Sequence, residues 1–258
     1  MQDLNIGILQ FDQAWEDKQK NFSKIKHLSP NKGSVDLLLL PEMFHTGFTM
    51  NHKTHSEKTQ HSIGLDFLHS LSKELQCAIY TSLIIEENKR IFNRGVFIYN
   101  GENNFYDKRK CFGLGGETDS FTPGKNEVIV DFKGWKLNLQ ICYDLRFPEL
   151  TRNQLDANGI AKSDVLLYVA NWPKKRIQHW VSLLKARAIE NQCYVVACNR
   201  VGIDGNNIEY NGNSLIIDPN GIIQNPTFEK YTEGIINGRL SPQILLNLRE
   251  KLPFLEDR

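Results

Sequence analysis

Leu137-Asn-Leu-Gln-Ile-Cys142-Tyr-Asp-Leu-Arg146-Phe-Pro-Glu149 reads as a strand that delivers a thiol at its end. Leu137, Leu139 and Ile141 alternate with polar residues, the period of a half-buried strand. The polar Tyr-Asp-Leu-Arg run then breaks the alternation. A helix is expected over Pro148–Leu155, because proline fits a first helical turn. A thiol at such a corner has the Tyr143 N–H just behind it. It also lies near the positive end of a helix, which favours the thiolate. Most cysteines are buried and structural. The polar run after Cys142 points instead to a nucleophile.

On either side of this stretch, strands and helices alternate. Upstream, Val128–Phe132 pairs with it around Lys133-Gly134. Downstream come an apolar strand at Val165–Val169, ending in Ala170-Asn171-Trp172-Pro173, and a long helix at Arg176–Asn191. Tyr194–Ala197 is a further strand. Ser214–Ile217 and Ile222-Ile223 flank the turn Asp218-Pro-Asn-Gly221 as a hairpin. Glu233–Leu240 is a last strand, and Ser241-Pro242 opens a C-terminal helix.

The first half repeats the theme. Leu4–Phe11 alternates as a strand, and Lys18–Leu28 places Phe22, Ile25 and Leu28 at helical spacing. Val35–Leu40 is a near-continuous apolar run, suited to a strand covered on both faces. Ile63–Leu75 is a second helix. Ala78–Ile85 and Ile91–Tyr99 form a hairpin, and Asn104–Lys108 follows Asn100-Gly101. Cys111–Gly124, with four glycines, reads as loop. No linker interrupts this order, so residues 1–258 are expected to form one α/β domain. Hairpins among parallel strands call for mixed sheets, and two packed sheets with helices outside fit the count.

Composition narrows the function classes. Lys+Arg is 31 and Asp+Glu is 30, so the formal net charge of +1 gives no support for a nucleic-acid or acidic-membrane partner. Five cysteines without framework spacing imply reduced thiols and a cytosolic chain. Met1-Gln-Asp-Leu-Asn carries no leader signature, and no apolar run is long enough to span a bilayer. His52 and His55 share a loop, and Cys193 and Cys198 a strand-like run, but neither supplies a four-ligand metal site. No phosphate loop or dinucleotide fingerprint is present. No cofactor is expected.

Three strand-like runs end in groups that amide chemistry needs. Leu37–Leu40 delivers Glu42, Asn104–Asp107 delivers Lys108, and Leu137–Ile141 delivers Cys142. Sites of α/β folds gather outside strand ends. Amides are poor electrophiles, so a thiol attacking one needs an adjacent base.

In order and spacing, four motifs resemble the nitrilase, or carbon–nitrogen hydrolase, superfamily over nearly the whole chain. They are Leu37-Leu-Leu-Leu-Pro41-Glu42-Met-Phe44, Tyr106-Asp-Lys108-Arg-Lys-Cys-Phe112, Gln140-Ile-Cys142-Tyr-Asp-Leu-Arg146-Phe-Pro-Glu149 and Lys185-Ala-Arg187-Ala-Ile-Glu190-Asn191. Pro41-Glu-Met-Phe-His-Thr-Gly47-Phe48, Ala170-Asn-Trp-Pro173 and Asn199-Arg200-Val-Gly202-Ile-Asp204-Gly205 are similar to its bacterial omega-amidase branch. Lys110-Cys111-Phe112 departs from the family's usual His-Leu-Phe.

The resemblance implies a four-layer αββα sandwich and a Glu-Lys-Cys triad. Cys142 is then the nucleophile, Glu42 the general base and Lys108 the cationic partner. Glu117 matches a second glutamate that positions substrate or Lys108. Tyr143 offers a backbone N–H to the oxyanion, and Arg146, Phe44, Phe48 and Trp172 are candidates for the substrate pocket. The implied substrate is the terminal amide of a short dicarboxylic acid monoamide such as 2-oxoglutaramate. The implied assembly is a homodimer or larger homo-oligomer through the face bearing Arg187 and Glu190. Rival expectations are an N-carbamoyl amine hydrolase, a nitrile hydrolase, a Cys-His glutaminase with His179 as base, and an inactive binding protein.

Overall fold

The computed structural model describes residues 1–225 and 232–258. Its first half runs β1 (Leu4–Gln10), α1 (Lys18–Leu28), β2 (Leu37–Leu39), the short α2 (His52–His55), α3 (Ile63–Leu75), β3 (Ala78–Glu87), β4 (Arg90–Tyr99) and β5 (Glu102–Asp107). Its second runs α4 (Glu117–Ser120), β6 (Ile129–Phe132), β7 (Trp135–Ile141), β8 (Val165–Ala170), α5 (Ile177–Asn191), β9 (Tyr194–Asn199), β10 (Val201–Ile203), β11 (Glu209–Asn211), β12 (Leu215–Ile217), β13 (Gly234–Leu240) and α6 (Pro242–Lys251).

Two mixed sheets carry the fold. One has the order β13-β1-β2-β3-β4-β5, the other β12-β9-β8-β7-β6. The parallel strands at the centre of each are the continuous apolar runs. β1 pairs in parallel with β2, and β2 with β3. β7 pairs in parallel with β8, and β8 with β9. The inner faces meet in one core, where Leu4, Ile6, Ile8, Leu37 and Leu39 pack with Leu137, Leu139 and Ile141. The alternate residues Leu9, Leu38 and Leu40 point the other way, onto Phe22 and Ile25 of α1 and Leu65, Leu68 and Leu71 of α3. Trp180, Leu184 and Ala188 of α5 and Leu245 of α6 cover the second sheet. The result is the expected αββα layering.

Local chemistry sets the helix starts. The Asp17 side chain caps α1 at the Lys20 N–H, and Ser62 Oγ caps α3 at the Leu65 N–H. The expected helix at Pro148–Leu155 does not form. One 3-10 turn, Pro148–Leu150, is all that follows the proline. Asn153 diverts the chain: its buried amide accepts from the Ser163 N–H and donates to the Ser163 and Asn191 carbonyls. A side chain that satisfies strand-like backbone groups competes with helix formation. The stretch read as loop, Cys111–Gly124, contains a 3-10 turn at Gly113–Gly115 and α4. The expected Ile217–Ile223 hairpin is reduced to one isolated bridge.

The long connection after Glu42 is pinned by Glu57. Its carboxylate accepts from Lys18 Nζ at 2.6 Å, His45 Nε2 at 2.9 Å, the Gly64 N–H at 2.9 Å and Ser62 Oγ. Burial pushes the Glu57 carboxyl up, but hydrogen bonds from His45, Lys18 and Ser62 outweigh it and hold it well below the usual range. Burial keeps His45 itself below its ordinary value, so it acts as a hydrogen-bond donor and Lys18 supplies the standing charge. A depressed carboxyl stabilises the fold above its unfolded value and loses that contribution as pH falls through the folded one. Glu57→Gln should therefore cost about 3 kcal/mol near neutrality. Urea unfolding should show the gap to wild type closing as pH falls below about 4. A gap unchanged by pH would contradict this account.

Candidate active site

Cys142 sits where β7 ends and a 3-10 turn, Cys142–Arg146, begins. Its φ is +44°, a left-handed value that a side chain bearing Cβ adopts at a cost. Asp144 supports this strained corner. Its Oδ2 accepts from the Ile141 N–H at 3.0 Å and the Tyr106 hydroxyl at 2.8 Å, and its Oδ1 from the Lys110 N–H at 2.9 Å. Burial pushes its carboxyl up to about 6. Arg187 is buried. It pairs with Glu190 at 2.9 Å and also donates to the Leu145 carbonyl at 2.7 Å, tying α5 to the same turn.

Lys108 stands between two carboxylates. Its Nζ donates to Glu42 Oε1 at 2.9 Å and Glu117 Oε2 at 2.7 Å, and all three side chains are almost wholly buried. Asn93 of β4 bridges the glutamates from the other side, at 2.8 Å to Glu42 and 3.1 Å to Glu117. The Asn171 N–H donates to Glu42 Oε2 at 3.0 Å, and the Asn171 amide holds the Glu42 carbonyl at 2.6 Å. The Phe112 N–H fixes Glu117 at 2.6 Å. Two of three Lys108 donors are thus used; the third has no hydrogen-bond acceptor among the described residues, and the amine lies 5.4 Å over the Phe48 ring.

Charge follows from this packing. Burial alone pushes Lys108 down, but the flanking Glu117 and Glu42 outweigh it and hold the amine cationic. Burial and then the Glu42 charge push the Cys142 thiol well above its ordinary value, against the opposing pull of Lys108. Burial and the Glu42 charge thus favour a neutral thiol at Cys142 over the helix-end thiolate expected from the sequence. The missing helix at Pro148–Leu155 removes the dipole that expectation relied on. Iodoacetamide labelling of Cys142, followed by peptide mapping, should climb with pH through about 9 with no plateau near neutrality. A neutral plateau would indicate a standing thiolate.

A cavity of about 690 Å³ opens above the sulfur. Phe48, Tyr143, Arg146 and Trp172 line it, together with Asn171 and Arg176. Glu117 does not line it; it is wholly buried behind Lys108, so of its two expected tasks only the contact with Lys108 is built. Phe44 does not line it either. It stacks on His45 and Phe67 in the outer core. Arg146 pairs with neither Asp144 nor Glu149. Its guanidinium lies 4.7 Å over the Trp172 ring, with Nη1 3.4 Å from His179 Nδ1. His179 is exposed beside that arginine. Asn93, Asn171 and Asp144 had no assigned role in the sequence reading.

Residues 5–245 match the family model for carbon–nitrogen hydrolases. The omega-amidase YafV of Yersinia enterocolitica is 38% identical over the full chain and 97% of its own length. The 2-oxoglutaramate amidase of Bacillus subtilis is 32% identical over 98% of this chain and 96% of its own. The crystal structure of XC1258 from Xanthomonas campestris, a CN-hydrolase superfamily protein with an arsenic adduct in its active site, superposes with a TM-score of 0.95. That chain is 35% identical, with 100% of this chain and 98% of that one covered.

Proposed function

The chain belongs to the carbon–nitrogen hydrolase family, whose amidases cleave non-peptide C–N bonds, and from that premise we propose that it is an omega-amidase. The substrate is the terminal amide of a short dicarboxylic acid monoamide such as 2-oxoglutaramate. The products are ammonia and the dicarboxylate. The observation that supports this reading is the buried Glu42–Lys108–Glu117 ion-pair cluster, together with Cys142 and Arg146 in the wall of one cavity.

Glu42 takes the thiol proton as the sulfur attacks the amide carbon, so no standing thiolate is required. The oxyanion is met by the spare Lys108 N–H and the backbone N–H of Tyr143. Tyr143 is second in its 3-10 turn, a position with no intrahelical acceptor. One such donor contributes about 3 kcal/mol to lowering the barrier. Glu42 hands its proton to the departing ammonia and the thioester forms. Water then attacks the thioester, Glu42 takes its proton, and the proton returns to sulfur as the carboxylate leaves. Glu117 and Asn93 hold Lys108 and Glu42 in place throughout. Arg146 pairs with the substrate carboxylate as a planar fork. Phe48 and Trp172 flank the carbon chain.

We also read the chain as a homodimer or larger homo-oligomer formed over the face that bears Arg187 and Glu190. Ile189 on that helix is 53% exposed, which fits a covered surface in the assembly. Among the described residues no helix is long and apolar enough to cross a membrane.

Ammonia release from 2-oxoglutaramate, succinamate, glutamine, an N-carbamoyl amine and a short nitrile tests the reading. The monoamides should be turned over well ahead of the rest. Turnover led by the carbamoyl compound or the nitrile would move the assignment to another branch. A glutamine preference would overturn it.

A further inference from the structure

We propose that Arg176 joins Arg146 in a two-guanidinium clamp that reads a 2-oxo carboxylate at the far end of the substrate and rejects the corresponding 2-amino acid. The proposal rests on the omega-amidase reading and names what selects its substrate. Both arginines line the cavity above Cys142. Arg146 lies 5.9 Å over the ring of Tyr143, the residue after the nucleophile. Arg176 lies 5.3 Å over Phe112, whose ring centre is 5.0 Å from that of Tyr143. The two guanidiniums therefore flank the same aromatic pair at the cavity wall. The main chain ties them as well, since the Trp172 indole under Arg146 donates to the Arg176 carbonyl at 2.8 Å.

Neither guanidinium pairs with a carboxylate among the described residues. Arg94, Arg187, Arg200, Arg239 and Arg249 all do. The acids in the same cavity wall are already engaged. Glu16 accepts from Thr49 at 2.5 Å and pairs with His55 at 3.2 Å. Asp204 accepts from the Asn206 and Ile208 N–H groups and the Tyr210 hydroxyl. The cavity wall thus holds two guanidiniums outside any ion pair among the described residues, while the oxygens of Glu16 and Asp204 are taken up by other donors.

A single carboxylate satisfies one guanidinium fork. The second needs another acceptor one carbon away, which the carbonyl oxygen of a 2-oxo acid supplies. A 2-ammonium group in the same place offers the guanidinium no acceptor and faces it as a like charge. Glutamine and 2-oxoglutaramate present the same terminal amide to Cys142, so the clamp is where they are told apart.

Calorimetric binding to Cys142→Ala, which holds intact amides without turnover, tests this. The ligands are 2-oxoglutaramate, glutaramate and glutamine. With Arg176 intact, 2-oxoglutaramate should bind more tightly than glutaramate, and glutamine most weakly. Adding Arg176→Gln should weaken 2-oxoglutaramate about 10- to 100-fold, the range for one charge-assisted hydrogen bond. Glutaramate should change by no more than about twofold, because it lacks the group being read. Arg176→Lys, which keeps the charge without the fork, should fall between. Equal weakening of both amides, no weakening of either, or no binding of 2-oxoglutaramate with Arg176 intact would each overturn the clamp. Wild type that binds 2-oxoglutaramate through Arg176 but releases no ammonia would overturn the omega-amidase reading and leave the clamp standing.

Discussion

Cys142→Ala should lower kcat for monoamide hydrolysis by about 10⁴-fold or more, to a residue set by oxyanion donors and binding alone. The structure gives the reason. No other thiol reaches this cavity, since Cys77, Cys193 and Cys198 are buried elsewhere and Cys111 does not line it. The fold should survive, because alanine adopts the left-handed corner at no greater cost than cysteine and the Asp144 contacts are to other atoms. Substrate binding should change little, because Arg146 and the aromatic walls remain. Steady-state ammonia release and calorimetry on the same preparation check both halves. Residual turnover within about tenfold of wild type would remove Cys142 from the chemistry.

Lys108→Met should be almost as damaging to rate and far more damaging to the fold. It removes one oxyanion donor, worth about 10²- to 10³-fold. It also leaves Glu42 and Glu117 facing each other in a buried site with only Asn93 between them. Breaking a buried ion pair from one side costs about 3–5 kcal/mol, because the remaining charge is uncompensated. Burial and mutual repulsion then push the two carboxylates toward protonation, which disables Glu42 as a base. Adding Glu117→Gln removes one of those charges. The double variant should regain most of the lost stability, read as the urea midpoint, while staying inactive. Activity that recovers along with stability would mean that Lys108 is only a structural counter-ion.

Much of the fold was legible because its buried strands are short apolar runs ended by turn residues. β8, β9 and the α1 and α3 helices fall where the apolar runs and the helical spacing put them. Glu42, Lys108 and Cys142 stood out because each lies at the end of a strand-like run and matches a family motif. Their supporting residues did not. Asn93 meets Glu42 across 51 residues of sequence, and Asn171 meets it across 129. A polar residue inside a strand carries no local sign of which distant charge it will satisfy. The misreadings share one cause. Pro148 suggested a helix, but Asn153 finds its partners in residues 163 and 191, which no local pattern reveals. The thiolate expectation fell with that helix. The state of Cys142 depends instead on burial and on Glu42, both consequences of the two sheets meeting.

The central claim is a thioester on Cys142, and hydroxylamine partitioning tests it most directly. Wild type turning over succinamate, which has no ketone for hydroxylamine to trap, should divert product from the free dicarboxylate to the hydroxamate as hydroxylamine rises. Ammonia release should continue undiminished, and Cys142→Ala should yield neither product. Undiminished ammonia release with only the dicarboxylate formed at every hydroxylamine concentration would contradict the account, because water would then be attacking the amide itself.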